Sequence, residues 1–289
     1  MNVLAKTPVM RITKIKDHIG AEVTGVDLTK PIDEETRQRL YDAAVDNVAL
    51  VIRDQKFTPA QYANAARLFG ELMEDQNRRY LAPGEPMVST LSNHNKDSQG
   101  NQAKVVKSAT WHTDHTNQEF PPKFTMLYAV ELPDSGGGTG VCNMRDAYEA
   151  LPDDWKARID GMKTANTLIS SARTDIGNPD ILRDQQNAKG GPMIHPLVRT
   201  HPERGTKAIW FHTGKTEKIL GMEPQETQDF LAELLETAMR PEFTYVHEYT
   251  LGDMLIVDNR SALHKAGFDY DHSQHRLLYR ALVRGERPE

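Results

Sequence analysis

The chain carries eleven histidines in 289 residues, so spacing rather than mere presence must pick out any that do chemistry. In Trp111-His-Thr-Asp114 an imidazole and a carboxylate stand at i and i+2, which on a strand project to one face and reach one ion together. Taken alone, the pair reads equally well as a His–Asp hydrogen bond on a sheet surface. A third donor comes from Asp258-Asn-Arg-Ser-Ala-Leu-His264, where His264 closely follows the apolar run Met254–Val257. Two imidazoles and one carboxylate leave open positions on one face of an octahedron, the arrangement used by non-haem Fe(II) oxygenases. Zinc with three protein ligands and a water, as in hydrolases, is the competing reading.

Beyond His264 lies a candidate strand, Arg276 to Val283, on which Arg276, Leu278, Arg280 and Leu282 share one face. Both arginines therefore face solvent together or point inward together. Two inward guanidinium groups would be costly to desolvate unless anions met them, and the Arg fork matches a carboxylate bidentately. An inward face thus predicts a pocket for two anionic groups. The loop Pro133-Asp-Ser-Gly-Gly-Gly-Thr-Gly140 lacks the Gly-Lys-Ser/Thr ending of a phosphate loop and reads as a tight turn, with Thr139 able to present a hydroxyl to the carboxylate at Arg276.

The elements that must position these groups are short. Gly20 to Leu28 alternates like a half-buried strand, and Asp33 caps a helix with Glu34 and Glu35 in its first turn. Ala49 to Ile52 reads as a buried strand. Thr58, Pro59 and Gln61 form a capping box opening a helix that Gly70 stops. From about residue 105 the pattern is mostly β: Phe124–Val130, Ile194–Thr200, Lys207–Phe211, Phe243–Tyr249, Met254–Val257 and Arg276–Val283. Helical insertions are expected over 145–162, broken near Pro152, and over 224–239. The stretch 171–193 reads as a long loop and a candidate lid. Together these predict a mainly β fold with flanking helices (α+β), a jelly-roll barrel packed by helices, as a single domain over 1–289.

Composition narrows the function classes. The 35 Lys+Arg against 41 Asp+Glu give a formal charge of −6, with no block of like charges. There is no electrostatic footprint for nucleic acid or for an anionic membrane surface. Hydrophobic residues make up 38%, enough for a packed core. The one cysteine, Cys142, cannot form an intrachain disulfide, and no run suggests a membrane span or a secretory leader, so a cytoplasmic protein is expected.

Over nearly its whole length the chain resembles the taurine dioxygenase and 2,4-dichlorophenoxyacetate dioxygenase family of Fe(II)/2-oxoglutarate enzymes. The resemblance rests on Gly20–Asp27, Phe69-Gly-Glu-Leu72, Trp111-His-Thr-Asp114, Gly136–Thr139, His195-Pro-Leu-Val-Arg-Thr-His-Pro202, Asp258-Asn-Arg260 and Arg276-x-x-x-Arg280. It implies a double-stranded β-helix with His112, Asp114 and His264 as iron ligands. It further implies that Thr139 and Arg276 hold the distal carboxylate of 2-oxoglutarate and that Arg280 meets the anionic group of the primary substrate. Dioxygen is the other cosubstrate, and a homo-oligomer is expected by analogy.

Three departures bear on the substrate. Val257 replaces the Trp common before Asp-Asn-Arg. Met73, Glu74, Asp75 and Gln76 stand where taurine enzymes carry a substrate-contacting His, and Ser108 stands in place of an Asn. Taurine is therefore not the expected substrate; an aryloxyalkanoate, alkylsulfonate, sulfate ester or amino-acid derivative is. Hydroxylation beside an ether, sulfonate or sulfate oxygen would break the adjacent bond. His195, His201, His212 and His247 are read as structural or pocket-lining, with Phe211, His212 and Lys215 at the substrate border. A zinc hydrolase and a non-catalytic barrel that binds an organic acid are the rivals.

Overall fold

The computed structural model describes residues 9–76, 78–101, 110–171, 180, 183, 184, 186 and 190–289. Most of the expected lid stretch, and Ser108, lie outside the described residues.

Local signals and structure agree in the N-terminal third. The Asp33 carboxylate accepts from Thr36 N at 2.7 Å and starts the helix Glu34–Asn47. Thr58 and Gln61 exchange both capping-box hydrogen bonds at the head of Pro59–Arg67. These two helices and the turn after the second pack Leu40, Ala43, Ala44, Tyr62, Ala65, Ala66 and Phe69 onto one face of a large sheet.

Among the described residues that sheet runs Arg11–Lys14, Ala21–Thr24, Ala49–Ile52, Met254–Asp258, Pro122–Glu131, Leu277–Arg284, Glu85–Ser92 and Leu81–Ala82, with Leu72–Met73 also paired to Leu277–Arg284. Every pairing is antiparallel except Ala21–Thr24 with Ala49–Ile52, the pair joined through the first helix. A second sheet, ordered Thr244–His247, Thr139–Asn143, Ala262–Ala266, faces the first across a core of Leu127, Val141, Leu255, Val257, Ala262 and Leu278. The two facing sheets form the jelly roll. The outer side of the smaller sheet is covered by Met144–Glu149, Asp153–Ile159 and Pro224–Ala238.

Alternation explains how one strand serves two purposes. In Pro122–Glu131, Phe124, Met126 and Tyr128 pack under the helices, whereas Thr125 and Leu127 line a cavity between the sheets. The apolar run Met254–Val257, buried on both faces, pairs with strands on either side.

Some expected elements are divided or were not foreseen. Ile194–Thr200 is two strands, Met193–Pro196 and Val198–Thr200, in different sheets. Thr139–Asn143 and Ala262–Ala266 lack a clear alternation because both are covered by packed layers, yet they form two thirds of the smaller sheet. Around His112, where the i, i+2 spacing would share a face if the segment were a strand, the chain forms an isolated bridge followed by a turn, in which His115 adopts φ 53°.

Candidate active site

His112 and His264 meet because their backbones exchange hydrogen bonds, His112 N to His264 O at 3.0 Å and His264 N to His112 O at 2.7 Å. This antiparallel bridge puts the two rings 4.3 Å apart, centroid to centroid. The turn after His112 then brings in Asp114 without the strand that the spacing suggested. One ligand atom from each of the three residues lies within 4.8 Å of the others, and all three side chains are buried.

Neighbouring groups hold the set in a state suited to a cation. His112 Nδ1 donates to Thr110 O at 2.7 Å, which leaves Nε2 with its lone pair turned toward Asp114. The Nε2 atoms of His112 and His264 lie 3.7 and 3.9 Å from the Asp114 oxygens, too far for hydrogen bonds and close enough to share an ion. Burial, reinforced by the neighbouring His112, pulls His264 down to about 3, and burial lowers His112 as well, so both imidazoles are neutral at pH 7. Burial works against the Asp114 carboxylate, but Arg280 and the surrounding imidazoles hold it well below the usual range. Thr125 Oγ1 donates to Asp114 Oδ2 at 2.5 Å and itself accepts from Asn259 Nδ2 at 2.8 Å. Neutral imidazoles, an ionised carboxylate and buried second partners fit a divalent metal.

The Asp258-Asn-Arg260 segment thus does structural work on both sides. Asn259 steadies the carboxylate through Thr125. Asp258 accepts from Arg260 Nε and Nη2 at 2.9 and 2.8 Å and lies 3.2 Å from His201 Nε2. His201 is therefore structural. His195 Nε2 donates to Gln118 O at 2.8 Å. His212 lies against His112 with ring centroids 4.7 Å apart and planes tilted by 37°, and Lys215 Nζ donates to Gln76 Oε1 and Asn117 Oδ1 at 2.8 and 2.7 Å.

Arg276 and Arg280 both face the cavity beside this triad, together with Leu278, Leu91, Asn93 and Thr139. Arg276 has no carboxylate within ion-pair distance among the described residues. Its Nε donates to Gly137 O at 2.7 Å, and its backbone N donates to Asn93 Oδ1 at 2.9 Å. The glycine loop is shaped by this contact: Gly137 has φ +69°, and a Cβ there would lie 3.0 Å from Arg276 Cδ and Nε. Gly136, at φ +73°, sits so close to Asp269 that a Cβ would fall 2.3 Å from its carbonyl oxygen. The loop wraps an arginine. Thr139 lines the cavity, and its Oγ1 is 2.9 Å from Tyr249 OH.

Arg280 departs from the expectation that each arginine awaits an outside anion. Its Nε donates to Asp75 Oδ2 at 3.1 Å, and Nη2 makes a short ion pair with the same oxygen. Ser89 Oγ also donates to Asp75 Oδ2, at 2.7 Å. Burial opposes the Asp75 charge, but Arg280, His115 and Ser89 bring the carboxyl down to about 2. Sequence reasoning gave no role to Asp75, Thr125, Asn93 or Tyr249, whose roles depend on partners distant in the chain. The available signal for Asp75 was its place in the segment that departs from the taurine enzymes.

A jelly roll holding two histidines and one carboxylate beside a cavity, with an arginine alongside that has no carboxylate within ion-pair distance among the described residues, is what the 2-oxoglutarate-dependent oxidoreductase class requires. The profile of the "Taurine catabolism dioxygenase TauD, TfdA family" matches residues 11–282, and the chain belongs to that family. It is 33% identical over 273 residues to the alpha-ketoglutarate-dependent 2,4-dichlorophenoxyacetate dioxygenase of Cupriavidus pinatubonensis, covering 91% of this chain and 94% of the relative. It is 30% identical over 286 residues to the (S)-phenoxypropionate/alpha-ketoglutarate-dioxygenase of Sphingobium herbicidovorans, covering 97% and 96%. Among solved structures, AAD-2 in complex with Mn(II) and N-oxalylglycine superposes with a TM-score of 0.79 at 29% identity, covering 97% of this chain and 99% of that one. Among the described residues no helix is long and apolar enough to cross a membrane.

Proposed function

We propose that this enzyme uses Fe(II), 2-oxoglutarate and dioxygen to hydroxylate a C–H bond of a small organic acid, with His112, Asp114 and His264 as the metal ligands. The observation that carries this reading is the buried triad beside Arg276, a buried cation with no carboxylate of its own among the described residues. Iron bound at the triad would couple oxidative decarboxylation of 2-oxoglutarate, to succinate and CO₂, to oxidation of the C–H bond.

The chain's own residues supply positioning. Thr125, braced by Asn259, fixes which Asp114 oxygen is free, and the Thr110 carbonyl fixes the His112 tautomer. Arg276 offers its fork to the distal carboxylate of 2-oxoglutarate, and Thr139, next to Tyr249, adds a hydroxyl. Arg280 reaches the cavity from the same strand face and orients the acid so that one C–H approaches the metal. The acids weighed are an aryloxyalkanoate, as the two relatives' names suggest, an alkylsulfonate, a sulfate ester and an amino-acid derivative. We further read the chain as one domain, consistent with a main sheet that draws strands from both ends of the sequence, and as cytoplasmic and homo-oligomeric by analogy with the family.

Succinate release from 2-oxoglutarate tests the proposal. Wild type should require Fe(II) and oxygen, and Asp114→Ala, checked for folding by circular dichroism, should lose turnover by at least about a thousandfold. Full succinate release by folded Asp114→Ala, or oxygen-independent turnover of the kind a zinc hydrolase shows, would refute it.

A further inference from the structure

Thr139 and Arg276 both line the cavity, and one further side chain touches the two of them. Tyr249 places its hydroxyl 2.9 Å from Thr139 Oγ1, and the Arg276 guanidinium lies over its ring, 6.0 Å from the centroid. Strand register brings it there. Thr244–His247 pairs antiparallel with Thr139–Asn143 so that His247 lies opposite Thr139, and Tyr249 follows two residues on. The His247 ring packs edge to face against Tyr249 with centroids 4.5 Å apart, which limits how the tyrosine can turn.

Two hydroxyls in contact make one hydrogen bond and leave one proton over. If Thr139 donates, its proton is spent on Tyr249 and only lone pairs remain for an incoming carboxylate, which itself only accepts. If Tyr249 donates, the Thr139 proton is free for the ligand. A bound carboxylate therefore selects the second arrangement, a chain from Tyr249 through Thr139 to the ligand in which each bond polarises the next. Burial raises Tyr249 above the ordinary tyrosine range, against the pull of Arg276, so the phenol keeps its proton at pH 7. Arg276, for its part, spends Nε on the Gly137 carbonyl. The Tyr249 ring face adds a neutral partner for the guanidinium charge that an arriving anion need not displace.

We propose that Tyr249 is a positioning residue for the cosubstrate: its hydroxyl makes Thr139 a donor toward the distal carboxylate of 2-oxoglutarate, and its ring steadies the Arg276 guanidinium. This rests on the reading of Thr139 and Arg276 as the groups that hold that carboxylate.

A double-mutant cycle tests it, with 2-oxoglutarate titrated calorimetrically into Mn(II)-loaded protein. Tyr249→Phe, which keeps the ring, should weaken binding about tenfold, and Thr139→Val by about tenfold or more. Adding Tyr249→Phe to Thr139→Val should change affinity by less than about twofold, because the hydroxyl acts through Thr139. Tyr249→Leu, which also removes the ring, should weaken binding about threefold further in both backgrounds. Mn(II) affinity should be unchanged in Tyr249→Phe, whereas a merely structural tyrosine would disturb the metal site as well. Circular dichroism checks folding. If Tyr249→Phe does not fold, a crystal structure of wild type with Mn(II) and 2-oxoglutarate decides: Thr139 Oγ1 should lie within hydrogen-bond distance of both Tyr249 OH and the distal carboxylate. Wild-type affinity in Tyr249→Phe, a tenfold loss that persists in the Thr139→Val background, or a parallel loss of Mn(II) affinity would overturn the proposal, as would a Thr139 hydroxyl parted from Tyr249 in the bound crystal. Tyr249→Leu no weaker than Tyr249→Phe would overturn the part assigned to the ring. Absence of 2-oxoglutarate binding in wild type sinks the dioxygenase reading itself, whereas intact wild-type binding with a flat cycle sinks only the role of Tyr249.

Discussion

Arg276 and Arg280 lie four residues apart on one strand face and line one cavity, yet their charges are balanced in opposite ways. The Arg276 guanidinium donates to a neutral group, the Gly137 carbonyl, and no carboxylate stands within ion-pair distance among the described residues. Arg280 is held by Asp75, with Asp114 at 4.0 Å. Desolvating a guanidinium with no anion is costly, so the Arg276 end gives up stability in order to receive a ligand. The Arg280 end is already compensated, and an incoming group must trade with what is there. Equal residue type and equal strand face thus give a binding group in one place and a largely internal ion pair in the other.

The largest effect that tests this contrast is on stability. Arg280→Gln takes the guanidinium from the buried Asp75 carboxylate and should cost about 3–5 kcal/mol in urea unfolding, most of it restored when Asp75→Asn is added. Arg276→Gln strands no carboxylate and should cost less than about 1 kcal/mol. Similar losses in the two variants would break the comparison.

Affinity should show the reverse order. Arg276→Gln should weaken 2-oxoglutarate binding to the Mn(II)-loaded protein by about a hundredfold, the size of a lost charge-assisted contact, and Arg280→Gln by tenfold or less. A greater loss in Arg280→Gln would reassign the two arginines.

The smallest expected effect is in acid. Asp75 titrates near 2 when folded, below an ordinary carboxyl, so its contribution is present above about pH 4 and is lost as pH falls toward 2. That contribution is about 2 kcal/mol. The stability of wild type should therefore fall more steeply across this window than that of the Asp75→Asn, Arg280→Gln double variant. Parallel profiles would mean that the pair is not ionised in the way described.

How much of the site could be read from sequence depended on the range of the interactions. The two helix caps were legible because donor and acceptor sit three residues apart. The arginine face was legible because a strand repeats every two residues, and Arg276, Leu278 and Arg280 do share the cavity. His112 and Asp114 come together as their spacing suggests, but through a bridge and a turn rather than a strand. Thr139–Asn143 and Ala262–Ala266 were missed because buried layers cover both faces and erase alternation. Asp75 was named only as a departure from the taurine enzymes. Its role depends on the pairing of Leu72–Met73 with Leu277–Arg284, and no local pattern in a two-residue strand announces that partner.

The most direct measurement is a crystal structure of this protein with Mn(II) and 2-oxoglutarate bound. The account predicts the metal at about 2.0–2.2 Å from His112, Asp114 and His264, the distal carboxylate of 2-oxoglutarate on Arg276 beside Thr139, and Arg280 still joined to Asp75. Metal bound elsewhere, or the distal carboxylate on Arg280 with Asp75 released, would contradict it.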